Sequence, residues 1–133
     1  MAETSVRRRL AAIAVLDVVG YSRMMEMDET GTLAELKMRR VAILQPTLHS
    51  HGGRVVKVMG DGMLVEFSSA VNAVAGTIEL QRKMAEANAG VLEERRIVLR
   101  IGINVGDVIV EGNDLYGAGV NVAARLESLA EPG

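Results

Sequence analysis

The chain has no cysteine and no tryptophan, and only two prolines, two tyrosines and one phenylalanine in 133 residues. Without cysteine there can be no disulfides and no thiolate metal ligands, a composition that fits the cytoplasm. Aromatic residues make up 2% of the chain, too few for the stacking platforms that hold single-stranded nucleic acid. A formal charge of −2 gives no broad basic field, so nucleic acid is not an expected partner. No apolar run approaches the ~20 residues of a membrane span. Arg7-Arg8-Arg9 followed by Leu10 to Leu16 has the charged-then-apolar order of a secretory leader, but Asp17 interrupts it and no small-residue cleavage pattern follows.

What remains is an apolar, globular composition, 49% hydrophobic, long enough for one domain with a real core. Leu10–Val18 reads as a central strand, apolar on both faces. Gly20-Tyr21-Ser22 turns the chain, with Ser22 placed to cap a short helix over residues 21–27. A second helix is predicted from Thr32 to Ser50, with Leu33, Leu36, Val41, Leu44 and Leu48 inward and Lys37, Arg39 and Arg40 off that stripe. Pro46 marks a kink in it.

Arg54–Met59 and Met63–Phe67 read as two strands joined by a tight turn at Gly60-Asp61-Gly62. Ser68-Ser69 caps a helix that buries Val71, Val74, Ala75, Ile78 and Ala85. Residues 97–105 and 108–110 read as a second hairpin turning at Gly106-Asp107, and a last helix is expected from Leu115 to Ala130. The pattern predicts an α+β, ferredoxin-like sandwich: a mostly antiparallel sheet with helices packed on it.

Several polar residues stand out against that apolar frame. Asp17 ends a buried strand, where a carboxylate must be paired, cap a helix or bind a cation. Asp61 sits between glycines, the place of an ordinary turn aspartate. If the two strands are neighbours, both carboxylates reach one sheet end, a donor set for hard divalent cations. The following Val19-Gly20-Tyr21-Ser22 adds backbone N–H groups at a helix start, suited to phosphate. Lys57 interrupts the apolar run VVKVM. Asn121 and Arg125, four residues apart, share a helical face, which is either an ordinary solvated face or a sugar-and-phosphate reader. His49-Ser50-His51 could bind metal, but no further ligand spacing supports it over a solvated helix end. The eight methionines read as core fillers.

Three stretches taken together resemble the catalytic domain of class III adenylate/guanylate cyclases: Val15-Leu16-Asp17-Val18-Val19-Gly20-Tyr21-Ser22, Lys57-Val58-Met59-Gly60-Asp61-Gly62, and Asp114-Leu115-Tyr116-Gly117-Ala118-Gly119-Val120-Asn121-Val122-Ala123-Ala124-Arg125-Leu126-Glu127. They occur in the family's order over most of the chain. The resemblance implies that Asp17, Asp61 and the Val18 carbonyl hold two divalent cations, Mg²⁺ or Mn²⁺. It implies that Lys57 and Asp114 read the base, that Asn121 contacts the ribose and that Arg125 contacts the phosphate. Gly20, Tyr21 and Ser22 would line the triphosphate.

A lysine with an acidic partner goes with adenine in this family, whereas guanylate cyclases usually carry glutamate at the lysine position. The implied reaction is conversion of ATP to cyclic AMP and pyrophosphate. The implied partner is a second copy of the chain, each site drawing on both. Family domains also continue past the Asn/Arg helix with further strands and a basic triphosphate contact, so residues 1–133 are expected to form a cyclase domain that lacks its C-terminal part. A guanylate cyclase, a non-catalytic nucleotide-binding or dimerisation module, and a generic interaction domain are the competing readings.

Overall fold

The computed structural model describes residues 7–133; the first six residues of the domain expected over 1–133 lie outside that range. Five strands form one sheet in the order β2-β3-β1-β4-β5. They are β1 (Arg7–Val18), β2 (Gly53–Met59), β3 (Gly62–Phe67), β4 (Leu99–Glu111) and β5 (Asp114–Tyr116), and every neighbouring pair is antiparallel. The α+β sandwich read from the sequence is the observed architecture.

The centre of the sheet is β1, which alternates between two cores as a strand with period two must. Ala12, Ala14, Leu16 and Val18 face one core together with Leu36, Leu48, Leu80 and Met84. Ala11, Ile13 and Val15 face the other with Leu64, Val108, Leu115 and Ala123. The first core lies under α1 (Tyr21–Met27), α2 (Glu29–Arg39), α3 (Gln45–Ser50) and α4 (Ala70–Asn88); the second lies under α5 (Ala118–Leu129).

The structure corrects several expectations, each for a local reason. β1 starts at Arg7, because the arginines pair with β4 up to Arg7↔Val110. Residues 99–111 form one strand rather than a hairpin, since β1 runs along all of it and pairs Ala11 with Gly106. Gly106 and Gly119 instead let α5 approach the sheet: a Cβ on Gly119 would lie 2.5 Å from the Asp107 carbonyl oxygen. The segment expected to open the last helix is β5, hairpinned onto β4 through a turn with Gly112 at φ 60.

Ser22 does not cap α1. Gly20 takes the N-cap position in the left-handed region, with no side-chain cap bond. Asp28 accepts from the Gly31 N–H and starts α2 three residues earlier than expected.

Pro46 does not break the helical path. A π-helical turn over Arg40–Leu44 leads directly into α3. That turn also explains which side chains are inward. Leu36 and Leu44 would lie about 80° apart around a regular helix, and absorbing one extra residue brings them to about 20°. Both are buried, while Leu33 and Val41 point outward. Arg39, expected outside, is 2% exposed and its Nε donates to Glu35 at 3.0 Å.

In α4 the larger apolar residues Val71, Val74 and Ile78 are exposed, and the small face of Ala73, Gly76 and Thr77, with Leu80 and Met84, is inward. Gly76 is the reason: a Cβ there would meet His51 at 3.0 Å and Phe67 at 3.2 Å. Ser69 caps this helix as expected, accepting from the Asn72 N–H. Among the described residues no helix is long and apolar enough to cross a membrane.

Candidate active site

The functional residues read from the sequence fall into two side-chain clusters and one helix face. The first cluster forms where β1 and β3 end side by side. Leu16 pairs with Met63, the last step of that ladder, which brings the strand ends carrying Asp17 and Asp61 together. Gly62 permits the close approach, since a Cβ there would lie 2.8 Å from the Leu16 carbonyl oxygen. The Val18 N–H donates to Asp61 Oδ2 at 3.0 Å. Asp17 continues the Ala11-Ile13-Val15 series and so faces the α5 side of the sheet.

Waiting on that side is Glu127, 7% exposed. Gly102 on β4 allows it in: a Cβ at Gly102 would lie 2.2 Å from the Glu127 nitrogen. Asp17 Oδ1 and Glu127 Oε2 are both buried without a hydrogen-bond partner. Burial, and then the adjacent Asp17 carboxylate, push the Glu127 carboxyl up to about 7, with Asp61 adding to the rise and Arg100 opposing it. An unpaired buried polar group costs about 1–3 kcal/mol, more when charged, so these two oxygens are left without the partner that burial calls for, although Arg100 pairs with Asp17 across the strands. Among the described residues no three acidic or histidine side chains converge as a ready-made cation cage. A cation here would therefore draw on two carboxylates and a backbone carbonyl, and the orphaned Asp17 oxygen fits that role.

The second cluster joins the two edges of the sheet. β2 and β5 stand at opposite ends of the strand order, yet Lys57 Nζ lies 2.8 Å from Asp114 Oδ1. The sheet curls until its edges meet, and Arg54 Nη1 reaches the Asn113 carbonyl oxygen at 3.4 Å. Lys57 pairs in register with Leu64 across a bulge between Val55 and Lys57, which places it on the α5 side. Asp114 is held below the usual carboxylate range, first by Lys57 and then by the Tyr116 hydroxyl, and Asp114 in turn raises Tyr116. The Lys57 ammonium lies 4.9 Å from the centre of the Tyr116 ring.

Asn121 and Arg125 lie on the outer side of α5. Both are exposed, and among the described residues neither side chain has a hydrogen-bond or ion-pair partner. Gly20 and Ser22 are exposed at the start of α1, whereas Tyr21 packs against the core. Two clefts of about 220 and 290 Å³ contain none of these residues, while a much smaller one, of about 10 Å³, is lined by Val18 and Asp61. Asn121 and Arg125 thus lie on the open surface of the single chain, while the Asp17 end of the sheet is largely buried. His51 is taken by Glu79 at 2.5 Å, an ion pair in place of the solvated helix end expected.

Two residues of this site had no role assigned from the sequence. Glu127 carried a usable signal, because it falls four residues after Ala123 on the buried stripe of α5. Tyr116 had one too: it lies two residues past Asp114, on the same side of a strand.

The family model described as "Adenylate and Guanylate cyclase catalytic domain" matches residues 6–133. This chain belongs to that family. It is 57% identical over 133 residues to "Putative adenylate cyclase 3" of Rhizobium meliloti, covering all of this chain and 23% of that protein. It is 36% identical over 131 residues to "Adenylate cyclase" of Streptomyces coelicolor, covering 96% of this chain and 32% of the relative. The chain therefore spans between a fifth and a third of the length of these relatives. A crystal structure titled adenylate/guanylate cyclase/hydrolase, from Silicibacter pomeroyi, superposes with a TM-score of 0.89 at 43% identity, covering 96% of this chain and 74% of that one. This cyclase domain thus has a solved counterpart with the same curled sheet.

Proposed function

We propose that residues 1–133 act as a cytoplasmic adenylate cyclase catalytic domain, converting ATP to 3′,5′-cyclic AMP and pyrophosphate. The observation that carries the reading is the Lys57–Asp114 pair, a donor beside an acceptor at the meeting sheet edges. Adenine N1 accepts from Lys57 and its N6 amino group donates to Asp114, whereas guanine presents the opposite pattern at these two positions. In the reaction the ribose 3′-oxygen bonds to the α-phosphorus, the bond from that phosphorus to the pyrophosphate oxygen breaks, and the hydroxyl proton is lost.

Asn121 orients the ribose, and Arg125 counters charge on the phosphate. Asp17, Asp61 and the Val18 carbonyl would hold two divalent cations, Mg²⁺ or Mn²⁺, which activate the attacking oxygen and stabilise the leaving one. The exposed backbone at Gly20 and Ser22, beside the Tyr21 ring, borders the triphosphate.

A single chain leaves Asn121 and Arg125 unengaged and encloses no nucleotide-sized space around them. We therefore read the working form as a twofold homodimer. Asp17 and Asp61 of one copy face Lys57, Asp114, Asn121 and Arg125 of the other, giving two equivalent sites. Incubating the protein with ATP and Mg²⁺ or Mn²⁺ tests the reading: equal amounts of cyclic AMP and pyrophosphate support it, and unchanged ATP overturns it.

A further inference from the structure

Tyr116 stands beside the Lys57–Asp114 pair. Its ring lies under the Lys57 ammonium at 4.9 Å. It shares a side of β5 with Asp114, as residues two apart on a strand do, and its hydroxyl helps to hold that carboxylate below the usual range. The ring is 43% exposed, so it buys little burial and serves no core. Lys57 and Asp114 are each about a third exposed, at 32%, and their own ion pair at 2.8 Å leaves both groups turned toward each other. A base can be read only if each turns part of its hydrogen-bonding capacity outward.

We propose that Tyr116 is a positioning residue for purine selection, its ring giving the Lys57 ammonium a second contact when the Lys57–Asp114 pair opens around a base. This rests on the adenine-reading role given to the pair above. The ring offers the ammonium a second attractive surface, so Lys57 can leave Asp114 without moving into solvent. The hydroxyl offers the carboxylate a neutral donor, so one oxygen stays fixed while the other accepts from the base amino group. A cation–π contact at an exposed site is worth a factor of roughly 2–5 in affinity, and a hydrogen bond to a charged group adds to it. Two other roles for an exposed tyrosine predict different outcomes. A surface residue leaves selectivity unchanged, and a stacking platform lowers ATP and GTP use alike, because every base has a π face.

The test measures kcat and KM for ATP and GTP in the wild-type protein, Tyr116→Phe and Tyr116→Leu. Tyr116→Leu is expected to raise KM for ATP about tenfold, with kcat within about twofold. Its preference for ATP over GTP should fall by a similar factor. Tyr116→Phe, which keeps the ring, should show about a threefold effect. Unmoved preference in both variants, or equal losses for the two nucleotides, would overturn the inference while leaving the cyclase reading intact.

A wild-type protein that makes no cyclic AMP would instead remove the reading on which the inference rests. A nucleotide-free NMR measurement keeps the two separate. The Lys57 ε-CH₂ protons should show an aromatic ring-current shift in the wild type and Tyr116→Phe that vanishes in Tyr116→Leu. No such shift in the wild type would sink the inference whatever the activity.

Discussion

The Val18 N–H donates to Asp61 Oδ2 at 3.0 Å, and this one bond ties the tip of the β2–β3 hairpin to the end of β1. It fixes Asp61 at the residue that follows Asp17. Only one Asp61 oxygen is used, so the carboxylate can be part of the scaffold and still face a cation.

Asp61→Asn separates those two roles. An asparagine oxygen can still accept from Val18, so the unfolding free energy should stay within about 1 kcal/mol of wild type. Cyclic AMP formation should drop at least about a hundredfold, because the cation loses a charged ligand. Activity assays beside thermal melts check this, and an active Asp61→Asn protein would remove Asp61 from the cation site.

Gly102→Ala tests how closely α5 must lie on the sheet. The added methyl would meet the Glu127 nitrogen at 2.2 Å and the Ala123 carbonyl oxygen at 2.5 Å. Both are backbone atoms and cannot rotate away. Overpacking of this kind costs about 1–3 kcal/mol or more, so the midpoint of a denaturant melt should fall. Turnover should fall with it even under folding conditions, since α5 carries Asn121 and Arg125. An unchanged midpoint and rate would show that α5 is free to shift.

Glu66 sets a pH dependence at the other end of the sheet. Its carboxylate bridges Arg9 on β1 and Arg54 on β2. Arg9 first, then Arg54, hold it below the usual range near 4.5. A carboxyl lowered on folding adds stability above its unfolded value, and that stability is lost as pH falls through the folded value. The stability gap between wild type and Glu66→Gln should therefore be full at neutral pH and shrink below about pH 4.5. Parallel stability curves down to pH 3 would show that the bridge contributes nothing.

The hairpin carrying Lys57 and Asp61 was legible because glycines and alternating apolar residues leave little else for that stretch to be. The nearness of the strand ends carrying Asp17 and Asp61 followed once β1 and β3 were taken as neighbours. The errors share one cause, which is that local pattern does not encode close approach. Gly106 looks like a turn residue but marks where α5 presses on β4. Val71, Val74 and Ile78 look like a buried stripe, yet the helix packs by the smaller face that Gly76 permits. Val41 points outward where a π-helical turn shifts the helix face, and nothing in a 3.6-residue period announces it. The contact between Lys57 and Asp114, across the two edges of the sheet, depends on curl, which no strand shows alone. The family resemblance supplied that pair from motif order, and the curl supplies its physical basis.

The shared site is tested most directly by mixing two inactive variants, Asp61→Asn and Arg125→Ala. Each homodimer has two damaged sites. In a heterodimer one site carries both changes and the other carries neither. Random exchange of equal amounts makes half the dimers heterodimers, so the mixture should regain about a quarter of wild-type cyclic AMP formation from ATP. A mixture as inactive as its parents, under conditions where the wild type turns over and the chains exchange, would contradict a site built from two copies.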